Sequence, residues 1–184
     1  MLIYLHGFKS SPGSQKARQL GDYARTRNIP FACPALPVSP AAAIAAVDRL
    51  IADSPEPPTL VGSSMGGFFA TWLAERHGLR AVLVNPLVIG GQNLEIAVGT
   101  HRNYHTGEVF EFTAGHVAEL RAHAVGGIAR PERYWVLLET GDEVLDYRQA
   151  VAFYAGARQT VLPGGDHSFT RWSEYLDAIA AFAA

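Results

Sequence analysis

Short apolar runs alternate with amphipathic segments along this chain. Residues 2–6 form the first candidate strand. Residues 14–27 read as a helix, with Ala17, Leu20 and Ala24 on one face and Ser14 as a candidate N-cap. Residues 31–36 read as a weak strand broken by Pro34, and residues 41–52 as a helix whose stripe is Ile44, Val47, Leu50 and Ile51. After the loop Pro55-Glu56-Pro57-Pro58 comes a buried strand, Thr59-Leu60-Val61-Gly62-Ser63. A helix over 66–77 follows, closed by Gly78 as a C′ residue. The next strand spans 81–85 and is stopped by Pro86. Further on lie a strand at 134–139, a helix at 146–157, a strand at 159–162 and a final helix at 171–183.

Strands that are apolar throughout, separated by helices, imply a parallel sheet covered on both faces. The expected fold class is therefore α/β, with six mostly parallel strands. Functional side chains in such sheets sit on loops at the carboxyl ends of the strands. Residues 88–130 break the rhythm with glycines, His101, the stretch Asn103-Tyr104-His105-Thr106-Gly107, Phe110-Glu111-Phe112 and a helical stretch near 115–124. An excursion of roughly forty residues is too long for an ordinary connection. It reads as a small cap inserted into a single domain that covers residues 1–184.

Composition narrows the class. The chain has 184 residues, 48% hydrophobic and 17% charged, which is globular and excludes long-range disorder. A chain of this size buries roughly 70% of its unfolded surface and needs no disulfide or structural metal. Its net charge of −2 gives no electrostatic footprint for nucleic acid or an anionic membrane. The single cysteine, Cys33, makes no internal disulfide and no cysteine zinc site. No run approaches the ~20 apolar residues of a membrane span. The first residues, Met1-Leu2-Ile3-Tyr4-Leu5-His6-Gly7, carry no basic stretch and do not read as a signal peptide. A cytoplasmic location is the expectation.

The candidate chemistry begins at Gly62-Ser63-Ser64-Met65-Gly66-Gly67. It fits G-x-S-x-G, with a strand before it and a helix after it. The turn is so tight that Ser64 must adopt a strained backbone, and its flanking positions must be very small. The following helix N-terminus favours negative charge near Ser64. Ser10, Ser11, Ser14 and Ser63 do not sit at that elbow.

A serine needs a base. Of seven histidines, His167 alone lies in a short glycine-rich loop, Gly164-Gly165-Asp166-His167-Ser168-Phe169, between a late strand and the last helix. His77 and His123 read as surface helix residues, and His6 as a hydrogen-bonded structural residue. The imidazole needs a carboxylate to fix its tautomer. Asp142, directly after Gly141 at a strand end, is the candidate. Asp146 reads as a helix cap and Glu143 as solvent-facing. The order Ser64, Asp142, His167 is that of α/β-hydrolases. Backbone N–H groups of Phe8, after the first strand, and of Met65 are the candidate oxyanion donors. Phe68, Leu87 and Phe169 are candidate substrate-pocket residues, with a core role open for Phe68. Nothing implies a cofactor or a metal: His101 and His105 have i, i+4 spacing, but Gly99 and Gly107 argue against a helix there.

The chain resembles the YqiA-type esterases of the α/β-hydrolase superfamily over nearly its whole length. The resemblance rests on Tyr4-Leu5-His6-Gly7-Phe8, Val61 to Gly67 with Ala70-Thr71-Trp72-Leu73, and Val84-Asn85-Pro86. It extends to the specific block from Thr140 to Val151 and to Gly164 through Phe169. It implies an esterase with Ser64 as nucleophile, His167 as base and Asp142 as acid, on a fold lacking the first two strands of larger relatives. One departure lies in the insertion, where the family pattern Asn-Pro-Tyr-Thr-Gly-Glu is replaced by Asn103-Tyr104-His105-Thr106-Gly107-Glu108. The expected partner is a small ester or thioester. A thioesterase or acyltransferase with the same three residues, or a binding module without catalysis, are the alternatives. A dehalogenase is disfavoured because Ser64 stands where a carboxylate is needed.

Overall fold

The computed structural model describes residues 1–90 and 93–184. Its main sheet contains β1 (Leu2–Leu5), β2 (Phe31–Ala32), β3 (Thr59–Ser63), β4 (Ala81–Val84), β7 (Tyr134–Glu139) and β8 (Arg158–Leu162). The six strands run in the order β2-β1-β3-β4-β7-β8, and every pairing is parallel. Two further strands, β5 (Gly99–Arg102) and β6 (Val109–Phe112), form a separate antiparallel hairpin.

Alternation along the buried strands divides the core in two. Ile3, Leu5, Leu60, Leu83, Val136 and Leu138 share one cluster with Ile44 and Val47 of α2 (Pro40–Ala52) and with Phe69 and Leu73 of α3 (Met65–His77). Leu2, Tyr4, Val61, Val82, Trp135 and Leu137 share the other with Leu20 of α1 (Gln15–Thr26). The second cluster also takes in Ile179 of α6 (Leu176–Ala183). Helices thus cover both faces, which is why the strands tolerate no polar alternation.

The helix ends follow the expected signals. Ser14 caps α1 by accepting from the Ala17 N–H, and Gly78 closes α3 at φ 65°. Asp146 caps α5 (Tyr147–Phe153). Three elements are shorter than expected, and one of them is α5, which ends at Phe153 although a helix to residue 157 was expected. Only Phe31 and Ala32 of the 31–36 segment pair with β1, because this is an edge strand and Pro34 has no N–H to offer. The last helix is split: residues Thr170–Tyr175 form a tighter 3₁₀ turn, in which the buried Trp172 packs on Tyr4 and donates from its indole N–H to the Lys16 carbonyl.

The insertion is part of the same core. Leu94, Phe112, and Val117 and Leu120 of α4 (Ala114–Ala122) join the cluster of Phe69 and Leu83. The β5–β6 hairpin was not among the expected elements. Its signal is the alternation Val109-Phe110-Glu111-Phe112 beyond Gly107, which takes φ 75°. The hairpin clasps the loop after β1. Phe8 packs edge-on against His101, Phe110 and Phe112, and Asn103 donates from Nδ2 to the Ser10 carbonyl at 2.7 Å.

Register brings the carboxyl ends together. Leu5 pairs with Gly62, Ser63 with Val84, and Val84 with Leu137, so the loops after β1, β3, β4 and β7 leave the sheet side by side. Here α3 crosses so close to β1 that a Cβ on Gly66 would lie 2.6 Å from the His6 carbonyl oxygen. Gly66→Ala is expected to cost about 3 kcal/mol, because the obstacle is backbone and does not yield. Thermal unfolding followed by circular dichroism should show Tm lowered by roughly 6–12 °C; an unchanged Tm would contradict this packing.

His6 itself is buried. The Leu36 N–H donates to its Nε2 at 3.2 Å, which leaves the proton on Nδ1, 3.1 Å from the Gly7 carbonyl. Burial holds its pKa below the ordinary histidine value. The unfolded chain therefore binds a proton that the folded chain refuses. This part of the stability is complete above about pH 6.5 and is lost as pH falls towards the lowered folded value. Denaturant midpoints between pH 7.5 and 5 should fall more steeply in the parent chain than in His6→Asn.

Candidate active site

Ser64 joins β3 to α3 at φ 56° and ψ −123°. A non-glycine residue at positive φ costs of the order of 1–3 kcal/mol and persists only where its surroundings over-determine it. They do so here. The Ser64 N–H donates to the Val84 carbonyl at 3.0 Å, and its own carbonyl accepts from the N–H groups of Gly67 and Leu87 at 2.9 and 3.0 Å. Small neighbours are compulsory: a Cβ on Gly62 would lie 2.7 Å from the Gly67 Cα.

The structure brings Ser64, His167 and Asp142 into one line. His167 Nε2 lies 3.0 Å from Ser64 Oγ, and Nδ1 lies 2.8 and 3.0 Å from the two Asp142 carboxylate oxygens. A carboxylate only accepts, so the ring proton sits on Nδ1 and Nε2 is left to accept from the serine hydroxyl. The Asp142 side chain is 1% exposed, and its Oδ1 also accepts from the Val144 and Leu145 N–H groups. These two bonds fix its orientation independently of the imidazole.

The loop carrying His167 is held by side chains outside the line of Ser64, His167 and Asp142. Gly164 and Gly165 take φ 70° and 74°. The buried Asn85, itself at φ 40°, donates from Nδ2 to the carbonyls of Asp166 and His167, and its Oδ1 accepts the Glu139 N–H at 3.0 Å. The fully buried Glu139 accepts the Asp166 N–H at 2.8 Å and faces Arg171 Nε at 3.3 Å. Glu143 is exposed, as expected, yet its carboxylate accepts the His167 N–H at 2.9 Å, and backbone donors hold its pKa below the usual range. A polar residue ending an otherwise apolar strand, as in Tyr134–Glu139 and at Asn85, is the signal by which two of these could be found.

A cavity of about 330 Å³ opens beside Ser64. Gly7, Phe8, Ser64, His167 and Phe169 lie on its wall, and the insertion adds Tyr104 and His105. Phe8 and Met65 also share a smaller cleft of about 80 Å³ with Gly7. As the first residue of α3, Met65 has an N–H without an intrahelical acceptor. Two expected pocket residues lie elsewhere. Phe68 and Leu87 are buried in the core and line a separate small void with Tyr154, away from the cavity. Phe169 reaches the cavity from a fully buried position against Tyr175.

The histidines off the cavity wall have local partners or core roles. His77 bonds Asp48, His123 reaches the Glu119 carbonyl, and His116 completes a capping box with Thr113. His101 reaches the Ala97 carbonyl from β5. Among the described residues no group of three His, Cys, Asp or Glu is arranged to hold a metal ion, and no helix is long and apolar enough to cross a membrane. Burial pushes the Cys33 thiol up to about 12, which makes it a poor nucleophile.

The model of the family described as "Uncharacterised protein family (UPF0227)" matches residues 1–184. The chain belongs to this family. It is the YqiA family to which the motifs around Ser64, Asp142 and His167 pointed. Among solved structures, the chain is similar to a candidate hydrolase from Agrobacterium vitis S4, with TM-score 0.78 and 20% identity over 100% of this chain and 87% of that one. It is similar to mouse alpha/beta hydrolase domain-containing protein 10, with TM-score 0.75 and 16% identity over 98% and 88%. The esterase domain of a Rhodothermus marinus protein matches with TM-score 0.70 and 17% identity over 99% and 85%. At these identities the likeness establishes an α/β-hydrolase fold.

Asn85→Ala removes one acceptor and two donors from a buried site. A loss of about 2–3 kcal/mol is expected from the groups left unpaired. Backbone amides of residues 164–169 should exchange with deuterium faster in that variant; unchanged exchange there would show that Asn85 does not hold the loop.

Proposed function

We propose that this chain is a cofactor-free serine esterase. The observation that carries the reading is the unbroken line of hydrogen bonds from Asp142 through His167 to Ser64 Oγ, at an elbow held at φ 56°. The Ser64 hydroxyl attacks the ester carbonyl while His167 Nε2 takes its proton, and the Oγ–carbon bond forms. The N–H groups of Phe8 and Met65 receive the negative charge that develops on the carbonyl oxygen. The carbon–alkoxide bond then breaks, and His167 returns the proton to the leaving alkoxide. Water adds to the acyl-enzyme by the same route, releasing the acid and restoring Ser64.

Asp142 keeps its proton count throughout. It holds the Nδ1–H tautomer and stabilises the imidazolium of each transition state. The neighbourhood supports this division of labour, since the Val144 and Leu145 N–H groups hold the Asp142 carboxylate in place and no cation other than His167 lies within ion-pair distance of it among the described residues. The similarity in fold to an esterase domain is consistent with the reading.

A fluorophosphonate probe should label Ser64 in the folded protein, as read by mass spectrometry. His167→Ala should abolish labelling, and Ser64→Ala should lower kcat for a short-chain p-nitrophenyl ester by on the order of 10⁴-fold or more. Turnover retained in Ser64→Ala, or labelling at another serine, would refute the proposal.

A further inference from the structure

The cavity beside Ser64 has one charged side chain on its wall, and it is a cation. Lys16, on the first turn of α1, reaches it together with the imidazoles of His105 and His167, and no carboxylate lines it among the described residues. The Lys16 ammonium donates to the Ser168 carbonyl and has no ion-pair partner within salt-bridge distance among those residues. An ammonium carries three donors, so two remain for another acceptor. Lys16 is half-buried where it enters this wall. Burial lowers its pKa, while the more distant charges of Asp166 and Glu139 oppose the fall and favour the charged form. The same cavity wall also carries neutral donors on Ser10, Gln15 and Gln19. A cation with free donors, on a wall shared with amides and hydroxyls, suits a carboxylate.

We propose that the ester cleaved at Ser64 carries a carboxylate on the portion that fills this cavity, and that Lys16 binds it. The inference rests on the esterase reading and names its substrate class. Lys16 is then a specificity residue, since it touches substrate away from the reacting carbon. It also ties α1 to the loop carrying His167 through Ser168, so a test must separate the two roles.

Two matched ester pairs do so. In the first, p-nitrophenyl butyrate is compared with the mono-p-nitrophenyl ester of glutarate, which places the charge on the acyl side. In the second, phenyl acetate is compared with 3-acetoxybenzoate, which places it on the alcohol side. Values of kcat/KM are measured for the parent chain and for Lys16→Met, which keeps the apolar stem. Dividing the charged-to-neutral ratio of the parent by that of the variant cancels each ester's intrinsic reactivity. The expected quotient is tenfold or more in one pair, arising mainly in KM, with Lys16→Arg retaining much of it. A quotient near one in both pairs, including an equal loss for charged and neutral esters, overturns the assignment and leaves Lys16 a positioning residue. If the neutral esters are not hydrolysed and Ser64 is not labelled, the esterase reading fails and this inference falls with it.

Discussion

The close crossing of α3 over the ends of β1 and β3 is the constraint on which the rest depends. It forces Ser64 to φ 56° and leaves no room for a side chain at Gly62 or Gly66. The crossing turns the Ser64 side chain out of the sheet at the start of a helix, where partial positive charge from free N–H groups is greatest. Ladder bonds from β4 and from the segment after it hold the strained peptide in place. A looser turn would relieve Ser64 and move its hydroxyl away from His167.

A second constraint is the distance that the His167 loop must span. β8 is at the sheet edge, two strands removed from β4, and β3 lies beyond that. The loop reaches back across this gap because Asn85, Glu139 and Glu143 each bind its backbone. Asn85 is placed to bind both sides, accepting from β7 while donating to two loop carbonyls. Buried polar groups of this kind are costly unless fully paired, and once paired they allow only one arrangement. The imidazole therefore inherits its position from a network at the sheet ends.

The insertion shapes the other side of the same site. Its helix α4 buries Val117 and Leu120 in the main core, so it is anchored like any other element. Its hairpin encloses Phe8 and binds the loop after β1 through Asn103 and the Tyr104 N–H. The loop that would supply the Phe8 amide and the wall that supplies Tyr104 and His105 are thus one packed unit. Substrate selection and oxyanion geometry are coupled through that contact in the proposed chemistry.

The sequence by itself determined the parallel α/β architecture, because strands buried on both faces must be apolar at every position. It also determined the elbow at Ser64, since only Gly62 and Gly66 fit that turn, and the caps Ser14, Gly78 and Asp146, whose signals act over a few residues. The glycine pair before His167 and the placement of Asp142 after Gly141 were legible for the same local reason. What decided the rest was contact between residues far apart in the chain. Phe68 and Leu87 are as apolar as any pocket residue, and only the tertiary packing put them in the core. The β5–β6 hairpin is short and half exposed, so its weak alternation acquires meaning only when Phe8 fills the space beneath it. Asn85, Glu139 and Lys16 meet the His167 loop across separations of up to 152 residues, and no local pattern records a hydrogen bond whose donor and acceptor come together only when the sheet is complete.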